Sequence, residues 1–130
     1  MVLTAILKPL PSYYKKGRIT SELSLNEKYD YFCKTFNSCG TFLLKCNETD
    51  IDYYLSEEFD GDCISFLNEK MLQSLLESGF INTDIKNKSM ELSKKFRSLE
   101  NTPYWQSHCV KTYKPWQDIL KLSDEIKSML

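Results

Sequence analysis

Apolar side chains recur three and four positions apart through most of this 130-residue chain, and polar segments divide them into five stretches. This spacing places apolar residues along one side of an α-helix, whereas a half-buried strand requires strict alternation. The chain has only 4 Gly and 4 Pro, too few for the many tight corners of a sandwich or barrel. The pattern therefore predicts a mainly α fold, a five-helix bundle that forms a single domain over residues 1–130.

Short local signals bound the first three helices. Ser24 begins a capping box, in which a Ser and a Glu side chain each satisfy a free backbone N–H at a helix start. Thr49 starts a short second helix, which we expect to end at Gly61 in a tight helical hairpin. Asp62 or Ser65 would cap a third helix beyond this turn. The carboxylates of the short helix would then lie on its outer side.

Glycine and proline bound the remaining helical stretches. Gly79 lies where the left-handed C-terminal cap of the third helix belongs. Pro103 stops the fourth helix, and Pro115 fits the first turn of the fifth, where its missing N–H is not needed. Trp105 and Trp116 each adjoin an apolar helical stripe, so we interpret both as core residues.

Two short segments near the N-terminus are each compatible with a strand. Residues 1–8 and 41–46 are apolar but too short for periodicity to identify their structure. Between residues 1–8 and the first helix, a basic stretch from Tyr13 to Arg18 combines aromatic and cationic side chains, as single-strand nucleic-acid binders do. The pI of about 5.9 argues against nucleic acid as the main partner, so we interpret this stretch as a solvated loop.

The cysteines and the N-terminal residues favour a cytoplasmic protein. The chain has 5 cysteines, an odd number, without the spacing of a disulfide framework or a Cys-x-x-Cys pair for zinc. The apolar run at the N-terminus is too short for a signal peptide or a membrane span. We therefore expect no metal, no other cofactor and no membrane insertion, and the sequence leaves the oligomeric state open.

His108 is the one histidine, so any histidine-dependent catalysis would have to use it. Adjacent residues usually point apart, so a nucleophilic pair would need a thiol other than that of Cys109. The chain has no glycine-rich phosphate loop, nucleophile elbow or metalloprotease pair. We therefore predict that the protein is not an enzyme, and a small enzyme relying on His108 remains an alternative.

Acidic residues are concentrated in one window of the chain. Residues 46–69 contain eight carboxylates and no Lys or Arg, while the other ten acids share the rest of the chain with all 17 basic residues. Such a block shapes long-range fields and partner choice, and an acidic face attracts a basic protein. The solvated side of a helix produces the same pattern, so both interpretations stay open. The acids are Glu48, Asp50, Asp52, Glu57, Glu58, Asp60, Asp62 and Glu69.

The C-terminal part combines a helix ending near an arginine, a Trp-bearing loop and a last helix. Its residues are Leu92, Phe96, Arg97, Trp105, Trp116, Ile119, Leu120, Leu122, Ser123, Asp124, Ile126 and Leu130. This arrangement, over residues 92–130, resembles the ending of small bacterial immunity proteins of contact-dependent growth inhibition and related polymorphic toxin systems. The resemblance implies a helical cytoplasmic inhibitor that binds a toxin domain, often a nuclease with a basic cleft.

The acidic window would suit such a basic partner. Charges set association rate and specificity, while interface energy concentrates in aromatic anchors, so Tyr53 or Tyr54 is expected to be an anchor if it faces outward. An adaptor or regulatory module that binds another cytoplasmic protein would use the same surface and remains the main alternative. From charge, we predict partner contacts at Asp50, Asp52, Tyr53, Glu57, Glu58, Asp60 and Asp62.

Overall fold

A computed structural model describes residues 22–130, and this part of the chain contains five helices and no strand. The mainly α prediction is confirmed. The predictions for residues 1–8 and for the basic stretch after them lie outside the described residues. The helices are α1 (Leu25–Thr35), α2 (residues 48–66, made of Glu48–Asp52, Tyr53–Phe59 and Asp60–Phe66), α3 (Glu69–Glu77), α4 (Thr83–Ser98) and α5 (Lys114–Ser128).

Three predicted helix-end signals are confirmed: the N-terminal cap of α1, the glycine that follows α3 and the proline in the first turn of α5. Ser24 Oγ accepts a hydrogen bond from the Glu27 N–H at 3.1 Å, and Glu27 Oε1 accepts one from the Ser24 N–H at 3.0 Å. Gly79 has φ of 83°, the left-handed backbone that lets the chain leave α3. Pro115 lies in the first turn of α5. Local side-chain and backbone preferences therefore set these helix ends.

Residues 41–46 do not form a strand, because the 3-10 helix Thr41–Lys45 occupies this segment. Asp124 of α5 accepts hydrogen bonds from the N–H of Thr41, at 3.3 Å, and from its hydroxyl group. Gly40 permits this approach, since a Cβ atom there would lie 2.5 Å from Asp124 Oδ1. The side chain of Leu43 is fully buried and fixes the short helix against the core.

The predicted helical hairpin at Gly61 is wrong, because α2 continues through this residue. Among residues 22–130, positive φ occurs only at Gly79 and Asn101, so Gly61 keeps right-handed helical backbone. Phe59 and Phe66 lie on either side of Gly61 and are both buried. Burying both side chains favours an uninterrupted helix over a turn.

The break between α2 and α3 lies at Asn68, so neither Asp62 nor Ser65 is the cap. Asn68 Oδ1 accepts a hydrogen bond from the Met71 N–H at 2.8 Å, which caps the start of α3. Its Nδ2 donates to the Ile64 carbonyl oxygen at 2.9 Å, which satisfies the end of α2. One amide side chain therefore serves both helix ends.

The core is centred on Phe96 of α4. Its ring centroid lies 4.9 Å from that of Phe59, 4.9 Å from that of Trp105 and 5.9 Å from that of Trp116. Both tryptophans are buried, as predicted, and Trp116 Nε1 donates a hydrogen bond to the Tyr104 carbonyl oxygen at 2.8 Å. None of the helices in residues 22–130 has the length and apolarity needed to cross a membrane.

Candidate protein-docking surface and adjoining cleft

The carboxylates of the acidic window do not all lie on one outer surface. Glu48 and Asp50, in the first turn of α2, are exposed. Asp52 and Asp62 are each only 7% exposed, so the expectation of an outer surface is wrong for these two. The chain does not turn at Gly61, and the helix therefore carries the later acids back towards its neighbours.

Asp60 is held by an arginine of α4 rather than presented to solvent. Arg97 Nη2 donates a hydrogen bond to the backbone carbonyl oxygen of Asp60 at 3.0 Å. The same nitrogen lies 2.5 Å from the carboxylate atom Oδ1 of Asp60, and this second contact is an ion pair without hydrogen-bond geometry. Arg97 Nη1 also donates to Glu100 Oε1 at 3.0 Å. Burial alone would lower the pKa of Arg97. The charge of Asp60 and the interactions with both acids have the larger combined effect, so the pKa of Arg97 is raised. We call Asp60, Arg97 and Glu100 the Arg97 junction.

The Arg97 junction connects α2 to α4 at the point where the α2 backbone leaves its π-helical stretch. The side chains of Arg97 and Asp60 are 29% and 32% exposed, so their charges are partly desolvated. The guanidinium also lies 5.3 Å from the ring centroid of Phe96, at the centre of the core. The arrangement is that of a structural ion pair, in which Asp60 is held by Arg97 within the protein.

The stretch Tyr53–Phe59 of α2 is a π-helix, in which backbone bonding extends to the fifth residue instead of the fourth. This spacing aligns Tyr53 with Glu58, and the Tyr53 hydroxyl donates to Glu58 Oε1 at 2.7 Å. On the buried side, Ser56 Oγ donates to Asp52 Oδ1 at 3.3 Å. Single π-helical turns within α-helices occur often at functional sites.

Aromatic side chains are exposed beside the remaining acids of α2. Tyr53 is 42% exposed, and the ring of Tyr54 makes edge contacts with both Tyr53 and Phe42, which is also exposed. The outward orientation of Tyr53 meets the condition under which we expected an anchor. We call this surface the Tyr53 face and define it as Phe42, Asp50, Tyr53, Tyr54, Glu57 and Glu58.

The ionisation of Tyr53 reflects its acidic surroundings. Its hydrogen bond to Glu58 and the negative charges of Glu58 and Glu57 raise the pKa of Tyr53 to about 12. The phenol is therefore a proton donor throughout the neutral range and fixes the Glu58 carboxylate beside it. A rigid aromatic ring framed by carboxylates is suited to contact a positively charged surface.

A cleft of about 430 Å³ separates α1 from α2 and adjoins the Tyr53 face. This volume lies in the range of pockets that hold small ligands. Aromatic rings and polar groups both line its walls. The lining residues are Tyr31, Lys34, Asn37 and Ser38 from α1 and the turn after it, with Tyr53, Tyr54, Glu58 and Asp62 from α2.

The α1 wall of the cleft was not predicted from the sequence. Tyr31 lies one position before Phe32, outside the apolar stripe, and stacks on Phe66 with ring centroids 5.2 Å apart. Lys34 places its Nζ 5.5 Å from the Tyr31 ring centroid. The sequence offered one signal for this wall. Tyr31 and Lys34 are three positions apart, so they lie on one face of the helix beside the apolar stripe.

Other groups considered for chemistry lack a shared site. His108 is exposed on the 3-10 helix Ser107–Cys109, and neither the cleft above nor a smaller one of about 210 Å³ beside Pro115 includes it. Burial raises the pKa of the Cys39 thiol and that of the Cys63 thiol, the latter to about 11, which disfavours the reactive thiolates.

Metal binding finds no support in the described part of the chain. Among residues 22–130, no group of three or more His, Cys, Asp or Glu side chains is arranged to hold a metal ion. The paired acids of the cleft, Glu58 and Asp62, stand beside tyrosines and a lysine instead. Comparison of the chain with protein-family models, curated proteins and solved structures found no match.

Proposed function

We propose that this protein is a cytoplasmic immunity protein that binds a toxin domain through the Tyr53 face and neutralises it. The partner would carry a basic surface, and a nuclease is the toxin class that the resemblance of residues 92–130 implies. The observation that carries the proposal is the exposed Tyr53, oriented by Glu58 within a helix that has no Lys or Arg.

The composition of the Tyr53 face supports protein binding. Tyrosine supplies a large contact area and loses little conformational entropy on binding, so it is enriched among the residues that dominate interface energy. Tyr54 contacts Tyr53 through edge-on ring packing, and Phe42 packs on Tyr54 in the same way and extends the apolar centre of the surface. Asp50, Glu57 and Glu58 surround that centre, which matches the polar rim of specific interfaces.

The charge of the same surface supports a basic partner. Exposed carboxylates contribute little to affinity individually, but together they accelerate association with a positively charged surface. Asp52 and Asp60 are left out of the proposed contacts, because Asp52 is buried and Asp60 is paired with Arg97. The proposal therefore narrows the predicted partner contacts to those that belong to the Tyr53 face, which are Asp50, Tyr53, Glu57 and Glu58.

A neutralisation assay tests the proposal. The reading frames beside the gene are searched for a toxic domain, which is then expressed in bacteria with the wild-type protein or with a variant carrying Tyr53→Ala, Asp50→Lys and Glu57→Lys. We expect the wild type to restore growth and the variant to lose protection, while circular dichroism shows that both are folded. A matched control carries Glu77→Lys and Glu91→Lys, two exposed acids of α3 and α4.

Each result has a defined meaning. Protection by the wild type and by the control, with loss in the Tyr53-face variant, supports the proposal. Equal protection by all three proteins would refute the assignment of the Tyr53 face. Growth arrest in the presence of the wild type would refute neutralisation of that toxin, and a stable complex with a non-toxic cytoplasmic protein would then favour the adaptor alternative.

A further inference from the structure

We infer that Ser123 and Asp124 of α5 are positioning residues of the Tyr53 face, because they hold the 3-10 helix Thr41–Lys45 so that Phe42 meets an apolar part of the partner. This inference rests on the proposed function and names a contact that slows dissociation of the complex. Neither side chain belongs to the Tyr53 face itself. Both act on that face from another helix, through the short 3-10 helix.

Hydrogen bonds from α5 fix the chain at the start of the 3-10 helix. The buried hydroxyl of Ser123 donates to the Cys39 carbonyl oxygen at 2.6 Å. Asp124 accepts a hydrogen bond from the Thr41 N–H at 3.3 Å and another from the Thr41 hydroxyl. Cys39 and Thr41 flank Gly40, so α5 holds the backbone on both sides of this glycine.

The space around Gly40 connects Asp124 directly to Phe42. A Cβ atom at Gly40 would lie 2.5 Å from Asp124 Oδ1 and 3.3 Å from Cδ1 of the Phe42 ring. The glycine backbone therefore has the carboxylate and the aromatic ring as close neighbours. Because packed groups at such separations cannot shift independently, moving the carboxylate also changes the position of the ring.

The 3-10 helix needs this support from α5. It has only five residues, and 3-10 hydrogen bonds have poorer geometry than those of an α-helix. Gly40 precedes its first residue and has no side chain that could cap it, so the cap comes from Asp124 instead. Without that acceptor, the start of the short helix loses its side-chain cap.

The two apolar residues of the 3-10 helix have different surroundings. Leu43 is fully buried, whereas Phe42 is 40% exposed and packs edge-on against Tyr54 with ring centroids 5.3 Å apart. The core therefore holds one side of the short helix and α5 holds its start. Together these contacts place the Phe42 ring beside Tyr54, at the apolar centre of the Tyr53 face.

The chemistry of Phe42 sets what it meets on the partner and which rate it controls. Its ring has no hydrogen-bonding group, so the matching surface of the toxin domain is apolar. Burying an aromatic ring stabilises a complex after it has formed, whereas charged residues act mainly on the encounter. Phe42 and its support therefore control dissociation, and the acids of the Tyr53 face control association.

The first test measures association and dissociation of the toxin domain from the neutralisation assay. Phe42→Ala should raise the dissociation rate about tenfold, and Asp124→Ala should raise it about threefold or more. Both should leave the association rate within about twofold of the wild type. Asp118→Ala is the matched control, because it removes an exposed carboxylate of α5 that pairs with Lys114, and it should change neither rate.

A double variant separates positioning from general stability. With Phe42→Ala present, Asp124→Ala has no ring left to position, so the double variant should dissociate within about twofold of Phe42→Ala alone. Multiplied effects of the two changes would overturn the inference, because Asp124 would then act by another route. Wild-type dissociation in Phe42→Ala or in folded Asp124→Ala would also overturn it.

The second test needs no toxin and follows the ring contact itself. Nuclear Overhauser effects between the Phe42 and Tyr54 rings should be present in the full chain and in Asp118→Ala, and lost in Asp124→Ala. Thr41→Val removes only the hydroxyl bond to Asp124 and should weaken them, while Thr41→Ser should keep them. The Thr41 variants also test the inference if Asp124→Ala does not fold. Wild-type ring contacts in both Asp124→Ala and Thr41→Val would overturn it.

The two proposals can fail separately. If the wild type does not neutralise the toxin but Asp124→Ala loses the ring contact, the function is refuted and the support of Phe42 by α5 stands. If the wild type neutralises the toxin and the ring contact does not depend on Asp124, the positioning role is refuted and the Tyr53 face stands.

Discussion

The Tyr53 face and the Arg97 junction both include acids of α2, from one acid-only stretch of sequence, but these carboxylates have different surroundings. At the Tyr53 face, Glu57 and Glu58 stand beside an exposed ring and no basic side chain is present in the sequence nearby. At the junction, Asp60 meets a half-buried guanidinium at 2.5 Å. The first set of charges surrounds an exposed aromatic ring, and the second holds two helices together.

This difference teaches that a run of acids in a sequence mixes two kinds of charge. An exposed carboxylate contributes little to folding stability and acts mainly through the long-range field. A partly desolvated carboxylate must keep its partner, because removing either charge leaves the other buried without compensation. The two kinds of charge should therefore differ in their effect on the free energy of unfolding.

The largest effect is expected from charge reversal at the Arg97 junction. Asp60→Lys places a second cation against Arg97 and removes its carboxylate partner, so the free energy of unfolding should fall by about 2–3 kcal/mol. Asp50→Lys, the same change at an exposed residue of the Tyr53 face, should lower it by no more than about 1 kcal/mol, the cost of reversing a charge in the first turn of a helix. Urea denaturation followed by circular dichroism measures both, and equal losses would remove the distinction between the regions.

A smaller effect is expected where Asp124 caps the 3-10 helix Thr41–Lys45. Asp124→Asn weakens the acceptor of the Thr41 N–H and hydroxyl, so we expect a loss of about 1 kcal/mol. Asp118→Asn is the matched control, since Asp118 forms an exposed ion pair with Lys114 and should matter by less than about 0.5 kcal/mol. Chemical denaturation would contradict the capping role if the two variants lost the same stability.

The smallest effect on stability concerns the ionisation of Tyr53. Its pKa of about 12 in the folded protein exceeds the ordinary value near 10, so the hydrogen bond to Glu58 stabilises the fold below pH 10. That contribution is lost as the pH rises from 10 to 12. Glu58→Gln should lower the pKa of Tyr53 towards 10, because it replaces a charged acceptor with a neutral one.

Tyrosinate absorbance, with Tyr53→Phe to identify the residue, measures this pKa. Glu77→Gln, which changes an exposed acid of α3, should leave the pKa of Tyr53 unchanged. An unaltered pKa in Glu58→Gln would show that the contact does not orient the ring and would weaken the case for a preorganised anchor.

The parts of the fold that the sequence predicted are those governed by local interactions. The capping box of Ser24 spans three residues, the left-handed backbone of Gly79 follows from its missing Cβ atom, and Pro115 needs only a position without a hydrogen-bonded N–H. Trp105 and Trp116 were predictable as core residues because each continues an apolar stripe with helical spacing.

The parts that the sequence did not predict depend on distant contacts. Asp124 shapes the turn at Thr41 across 83 positions, and Arg97 reaches the Asp60 carbonyl group across 37. The π-helical stretch of α2 also changes which residues share a face, so the burial of Asp62 could not be derived from a period of 3.6. The α1 wall of the cleft was missed for the same reason, since it depends on how α1 and α2 pack.

The most direct test of the central claim is the rate at which the toxin domain from the neutralisation assay associates with the protein in stopped-flow experiments. With Asp50→Lys and Glu57→Lys combined, we expect association to slow about tenfold or more at low salt, and this difference should shrink as salt is added. The Glu77→Lys and Glu91→Lys control should stay within about twofold of the wild type. Wild-type rates in the variant with Asp50→Lys and Glu57→Lys at low salt would contradict the claim that the acids of the Tyr53 face guide the partner.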